Sequence, residues 1–314
     1  MMNIWKSGIM GVVVGDALGC PVQFESRETV ARHPVTGMRG YGTFNLPPGS
    51  WTDDSSLTLA LLESIRRTVG IDCTDIMNHF VQWLDDGAFT PYGYAYDIGR
   101  GTMSAVNRYK RDHDPHRAGN TDERSNGNGS LMRIMPAVLY CCEHALPDAE
   151  AIDIVHKIGS LIHAHIRSNI ACGLYWFMAS AILNESGALK DRLQAGLDRG
   201  FAFYGQTLAD HESLECYDRL RDLDKFAALP EDSIRSSGYV VDSLEAAVWS
   251  LLNAASFEDA LLKAVNLGED TDTVGAIAGG LAGLYYGCDA IPEDWLAALQ
   301  RREWIEGLCV VNDN

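Results

Sequence analysis

The chain has 314 residues, 46% of them hydrophobic, and a formal charge of −18 from 25 basic and 43 acidic side chains. A duplex-binding face needs clustered cations to displace counterions from phosphates, and an anionic membrane repels an acidic protein, so neither partner is expected. Length alone would suggest about two domains, but no Pro/Ser-rich linker or charge block divides the sequence, and one domain over residues 1–314 is expected.

The N-terminal stretch MMNIWKSGIMGVVVGDALG has one lysine and a short apolar run broken by Gly and Asp. It is too short to span a membrane and carries no cleavage site, and its Val12–Val14 run reads as helix rather than strand. Eight cysteines include no C-x-x-C pair, and Cys141 and Cys142 are adjacent. That suits neither a disulfide framework nor a zinc site, so the thiols read as reduced and the protein as cytoplasmic.

Residues 33–51, rich in Gly and Pro, read as a loop. Helical faces follow at Leu57, Leu61, Ser64 and Ile65, and at Ile76, Phe80, Trp83 and Leu84. Asp97-Ile98-Gly99 reads as a turn before a helix. Residues 112–130 form a polar, Gly-rich loop ending in Ser125-Asn126-Gly127-Asn128-Gly129-Ser130, whose backbone N–H groups could cradle a phosphate at the next helix start. Arg133 stands in the apolar run LMRIMPAVL, where a buried arginine wants an anionic partner. His163 and His165, read as helical, would point to different sides and could not share a zinc ion. Residues 230–238 read as a loop before a helix carrying Leu244, Ala247, Val248, Leu251, Leu252 and Ala255 on one face. The stretch from Val274 to Tyr286 is apolar nearly all round and holds Gly275, Gly279, Gly280 and Gly283, which places it at the centre of a bundle by close backbone packing.

Two acidic clusters open apolar helices far apart in sequence. One is Ser50-Trp51-Thr52-Asp53-Asp54-Ser55, the other Gly268-Glu269-Asp270-Thr271-Asp272-Thr273. N-capping is one reading of each. Capping uses one or two such residues, however, and here four aspartates with flanking hydroxyls make the oxygen-rich set that hard cations such as Mg²⁺, Mn²⁺ or Ca²⁺ prefer. Asp53 and Asp54 differ by about 100° around a helix and could reach two metals, with Asp270 and Asp272 closing the site.

Seven segments, GDALG at 15–19, PPGSWTDDSSLTL at 47–59, DIGRGT at 97–102, SNGNGSLMRIMP at 125–136, the histidine of LIHAHIR at 161–167, SGYVVDSLEAAVW at 237–249 and GEDTDTVGAIAGGLAG at 268–283, together resemble the ADP-ribosylglycohydrolase family, in the family's order and over nearly the whole chain. The resemblance implies a single-domain, all-α orthogonal helical bundle with a binuclear Mg²⁺ or Mn²⁺ centre in a cleft. The implied metal ligands are Thr52, Asp53, Asp54, Asp270, Asp272 and Thr273. Asp97 matches the family's DIG aspartate, a candidate acid/base. Gly99 and the loop residues Asn126, Gly127, Asn128, Gly129, Ser130, Met132 and Arg133 match its substrate side. His163 aligns with a histidine near the ribose or phosphate, and Tyr239 with a residue flanking the ligand. The sequence departs from the pattern at Gln23, where the family has glutamate, with Glu25 two residues on, and at Ile162 and Ile166.

The implied reaction is metal-dependent hydrolysis of the glycosidic bond between ADP-ribose and a protein side chain, ADP-ribosyl-arginine favoured. Asp97, Asp53 or Asp54 would accept the proton of the attacking water. ADP-ribose or an ADP-ribosylated protein is the expected partner, and a monomer the expected state. Because Gln23 cannot take a proton from water, an ADP-ribose-binding homologue with impaired turnover is the alternative, as is a hydrolase of another ribosylated small molecule.

Overall fold

The structure, a computed structural model, describes residues 3–310. Among them are sixteen α-helices and no strand, an all-α fold. The buried apolar side chains form one connected cluster running from Trp5 to Cys309. Among the described residues no helix is long and apolar enough to cross a membrane, and the cysteines are free.

Two helices make the centre. Ile4–Gly19 begins at Asn3, whose side chain accepts the Lys6 N–H, and nearly every residue after the first turn is buried. Thr271–Tyr286 lies antiparallel against it. A Cβ built on Gly15 would fall 2.0 Å from the Gly275 carbonyl oxygen, and one on Gly11 2.1 Å from that of Gly279. On the facing helix, a Cβ at Gly283 would meet the Ser7 oxygen at 2.1 Å. These glycines let backbone touch backbone, as the sequence led one to expect, and that contact outweighs the roughly 1 kcal/mol of helix propensity each gives up. The contact sets Gly19 against Thr271 and Asp272, so the start of the second helix meets the end of the first.

Helix Asp53–Thr68 buries Leu57, Leu61, Ser64 and Ile65 in the core, and Cys73–Asp86 buries Ile76, Phe80 and Trp83. Residues 33–51 contain no helix, and after Asp112 ends the preceding helix, 113–130 holds only short 3-10 turns at Pro115–Arg117 and Asn128–Ser130. Two sequence readings need correction. The helix after residue 239 spans Val240–Leu252, so Ala255 lies beyond it, just before Ser256 caps the next helix. His163 and His165 are not helical: one helix ends at Gly159, and His165 itself caps Ile166–Asn184 by accepting the Arg167 N–H.

Candidate active site

Both acidic clusters lie where the sequence places them, at the first turns of Asp53–Thr68 and Thr271–Tyr286. Thr52 and Asp270 are the N-cap residues, and neither makes a side-chain cap bond; in the second cluster Asp272 Oδ1 accepts the Thr273 N–H at 2.8 Å. The orphan N–H groups of the Asp53 helix go instead to Asp16, which the sequence reading passed over. Asp16 is fully buried on the N-terminal helix and accepts the Thr52 N–H at 3.0 Å, the Thr52 hydroxyl at 3.0 Å, the Ser55 N–H at 2.9 Å and the Ser55 hydroxyl at 2.5 Å. Burial pushes its carboxyl up to about 6 against the pull of those four donors. A buried aspartate in a run of small and apolar residues was the signal for it, since such a group survives only with partners.

The glycine-locked register brings the second cluster opposite the first. Thr52 Oγ1 lies 3.0 Å from Asp16 Oδ1, 3.2 Å from Asp272 Oδ2 and 3.4 Å from Asp54 Oδ2, and Thr273 Oγ1 lies 3.3 Å from Asp54 Oδ2. One hydroxyl proton faces three carboxylate oxygens. Asp54 Oδ1 is buried without any partner. Burial, then the neighbouring carboxylates, raise Asp53, Asp54 and Asp272 well above the ordinary carboxylate range. None of Asp53, Asp54, Asp97, Asp270 and Asp272 pairs with Lys, Arg or His among the described residues. The cluster therefore has oxygens in excess and cations in deficit, the donor chemistry a hard divalent ion would complete. Three acidic, histidine or cysteine side chains do not already converge on one point among the described residues.

A cleft of about 840 Å³ opens over this cluster. Gln23, Asp53, Asp54, Asp97, Asp270 and Thr273 form its floor, with Asn128, Gly129, Met132 and His163 on one wall. Thr52 and Asp272 lie beneath that floor, 1% and 0% exposed. Asp97 holds its side chain at the floor from a left-handed backbone, φ +51, which Asp tolerates better than most residues. Burial raises its carboxyl, and hydrogen bonds to Asp272 and Gln23 oppose the rise. Asp270 is raised by burial and held back by Asn128, whose amide donates to it at 2.6 Å, and by Asp272, Gln23 and Thr273. Gln23 thus lies beside two carboxylates, and its Oε1 is buried without a partner.

His163 is wedged among three glycines from two chain segments. A Cβ on Gly101, Gly127 or Gly129 would lie 2.4 to 3.1 Å from its ring. Its Nδ1 meets the Ser125 carbonyl at 3.0 Å, and a carbonyl only accepts, so Nδ1 carries the proton and Nε2 is left as an acceptor among Gly101, Gly127 and Gly129. Burial lowers the ring to about 4, which keeps it neutral.

Four expected substrate residues sit elsewhere. Arg133 is fully buried behind the wall. It donates to the Ile158 carbonyl at 3.1 Å, its guanidinium lies over the Phe80 ring, and Nε and Nη1 have no partner. It cannot touch a ligand in the cleft, because helix propagation from the 128–130 turn points its side chain into the core while Met132 faces out. Ser130 is buried too; it donates to the Gly159 carbonyl at 2.5 Å and accepts the His163 N–H at 3.1 Å, so it fixes His163. Asn126 turns outward to the Glu123 carbonyl, and its own carbonyl accepts the Val240 N–H. Tyr239 is half-buried beside Arg167 and Cys216 and pairs through its backbone with Gly127. Gly99 lines the cleft as the N-cap of Arg100–Asp112.

A family model described as ADP-ribosylglycohydrolase matches residues 5–313. The chain is similar to the ADP-ribosylarginine hydrolase Tri1 of Serratia proteamaculans, 32% identical over 306 residues that cover 96% of this chain and 77% of that protein. To the ADP-ribosyl-[dinitrogen reductase] glycohydrolase of Rhodospirillum rubrum it is 29% identical over 295 residues, 93% of this chain and 89% of that one. A solved structure of an ADP-ribosylglycohydrolase-related protein complex superposes with a TM-score of 0.79 at 35% identity, covering 98% of this chain and 96% of its own.

Proposed function

The chain belongs to the ADP-ribosylglycohydrolase family and is a hydrolase of the glycosidase type, and from that premise we propose that it cleaves the bond joining ADP-ribose to an arginine side chain, with two divalent ions, Mg²⁺ or Mn²⁺, held between the two aspartate clusters. The observation that carries the metal reading is the excess of buried carboxylate oxygen around Thr52, with Asp54 Oδ1 lacking any partner. Thr52, Asp53 and Asp54 would hold the ions from one helix start, and Asp270, Asp272 and Thr273 from the other. Bound there, the ions would orient the ribose hydroxyls and make water more acidic. The arginine linkage is favoured because two relatives at 32% identity are ADP-ribosylarginine hydrolases.

The protein's own groups supply the rest. Asp97 lines the cleft and accepts a proton from the attacking water. The water oxygen bonds to the anomeric carbon as the carbon–nitrogen bond breaks, and the guanidine nitrogen keeps the bonding pair. Asp53 and Asp54 supply negative charge under the developing oxocarbenium. His163 accepts a hydrogen bond at Nε2, and Arg100 and Arg124 are the cations lining the cleft for the phosphates. The test is release of ADP-ribose from a peptide carrying ADP-ribosyl-arginine, with Mg²⁺ or Mn²⁺ and with chelator. Turnover is expected with either ion and is lost with chelator and in Asp272→Asn. ADP-ribose binding without turnover on arginine- or serine-linked substrates would replace hydrolysis by the binding reading that Gln23 motivates.

A further inference from the structure

Phe24 lines the cleft, yet 68% of it is exposed to solvent. Its backbone is held at φ +67, with the Phe24 N–H donating to the Glu269 carbonyl at 2.7 Å and the Glu269 N–H donating to Glu25 at 2.7 Å. A left-handed phenylalanine is costly and an exposed one gains nothing from burial, so the fold itself has no use for it. It begins a row of rings. Phe24 meets Phe44 edge-on at 6.5 Å, Phe44 meets Tyr96 at 5.6 Å, Tyr96 meets Tyr94 at 5.9 Å, and Tyr94 stacks on Tyr92 at 6.3 Å. The inner rings are fastened: the Tyr96 hydroxyl donates to the Trp51 carbonyl, and Tyr92 shares a 2.6 Å hydrogen bond with Ser50. Tyr94, 51% exposed, is free on its outer face. The result is an aromatic ledge that begins at the cleft with Phe24.

We propose that this ledge binds the polypeptide around the modified arginine and favours cationic residues there. The inference rests on the hydrolase reading above. Three observations select a cationic peptide. Aromatic faces attract guanidinium and ammonium groups. Glu25 and Glu269 flank Phe24 through the paired backbone that holds it. The ledge is continuous with a cleft floored by carboxylates, on a protein of charge −18, which repels an acidic segment. The ADP-ribose moiety does not need the ledge; the chain to which it is attached must leave the cleft over some edge, and this edge is shaped and charged for it.

The test compares two synthetic peptides, each ADP-ribosylated on a single arginine flanked by lysines or by glutamates, together with ADP-ribosyl-arginine as the free amino-acid conjugate. The lysine-flanked peptide is expected to show a KM about tenfold below that of the glutamate-flanked one. Phe24→Ala and Tyr94→Ala together shrink that ratio to less than twofold, by raising KM for the lysine-flanked peptide rather than by lowering kcat. Tyr94→Ala alone, at an exposed ring outside the cleft, gives part of the effect with the fold intact. Equal KM values for the two peptides, or a preference that survives both substitutions while the free conjugate is hydrolysed, overturns the ledge and leaves the hydrolase standing. If the natural protein hydrolyses none of the three substrates, the hydrolase reading fails instead.

Discussion

The Asp16 carboxylate accepts both the backbone N–H and the hydroxyl of Ser55, at 2.9 and 2.5 Å, from a different helix. The helix that carries Asp53 and Asp54 is therefore capped by a neighbour. Its own acidic residues are released from that duty, and their place relative to Asp272 is set by the N-terminal helix.

Removing this cap is expected to destabilise the protein. Asp16→Ala leaves the Thr52 and Ser55 N–H groups without an acceptor in a buried site, at about 1–3 kcal/mol for each such group. At roughly 2–4 °C per kcal/mol for a chain of this size or somewhat smaller, the melting temperature should fall by several degrees. Asp16→Asn keeps one acceptor oxygen and should lose less. Melting curves of the metal-free proteins decide it; an alanine variant that melts with the natural protein shows that the cap contributes nothing.

Asp97→Asn should lower kcat by about 10²–10⁴-fold, the usual cost of losing a general base, with little change in KM. Gln23→Glu tests the same floor from the other side. The shape is kept, but a neutral amide beside Asp97 and Asp270 becomes another carboxylate among them. Tighter Mg²⁺ or Mn²⁺ binding and a lower melting temperature without metal are expected. Steady-state kinetics and calorimetric titration measure the two effects. Full activity in Asp97→Asn would move the base to Asp53 or Asp54, and if that variant is inactive only when Gln23 is also changed, the two act as one unit.

His163 should make acid cost stability. Its folded value, about 4, lies below the ordinary 6.5 because burial disfavours the charged ring. Between those values the unfolded chain binds more protons, so stability rises with pH; the contribution is complete above 6.5 and is lost as pH falls towards 4. At pH 5 the loss is about 2 kcal/mol, from roughly 1.4 kcal/mol per unit. The buried carboxylates act with the opposite sign, but they are common to the natural protein and to His163→Gln and cancel in the difference. Urea unfolding of both at pH 7.5 and 5 should show the variant gaining about that much relative to the natural protein at the lower pH. A difference that does not change with pH would mean the ring takes up its proton in the folded state.

The aspartate clusters and the glycine-rich helix were legible in the sequence because each is a local pattern with a physical cause: carboxylates at a helix start, and small residues where backbones touch. What stayed hidden depends on a third dimension. Asp16 caps a helix 36 residues away, and no local window contains both partners. Arg133 looked like a ligand residue because an arginine in an apolar run wants an anion, but which side of the 128–130 turn faces the cleft is decided by packing against Phe80 and Ile158. The segment 161–165 has helical composition, yet the Asn120 N–H donates to the Ile162 carbonyl and the Ala164 N–H to that of Asn120, and a strand-like bridge takes the place of a helical turn. The ledge was invisible because its rings come from three loops, and loops carry no periodicity.

The pairing of the first and last long helices also sets a timetable. Thr271 Oγ1 donates to the Gly19 carbonyl across 252 residues, and the N-terminal helix has glycine where another helix would present side chains to substitute partners. During synthesis it emerges first and must wait for almost the entire chain before its backbone-to-backbone partner exists. A nascent chain that ends before Thr271–Tyr286 therefore carries Asp53, Asp54 and Asp97 but lacks the Asp272 and Thr273 side of the carboxylate floor.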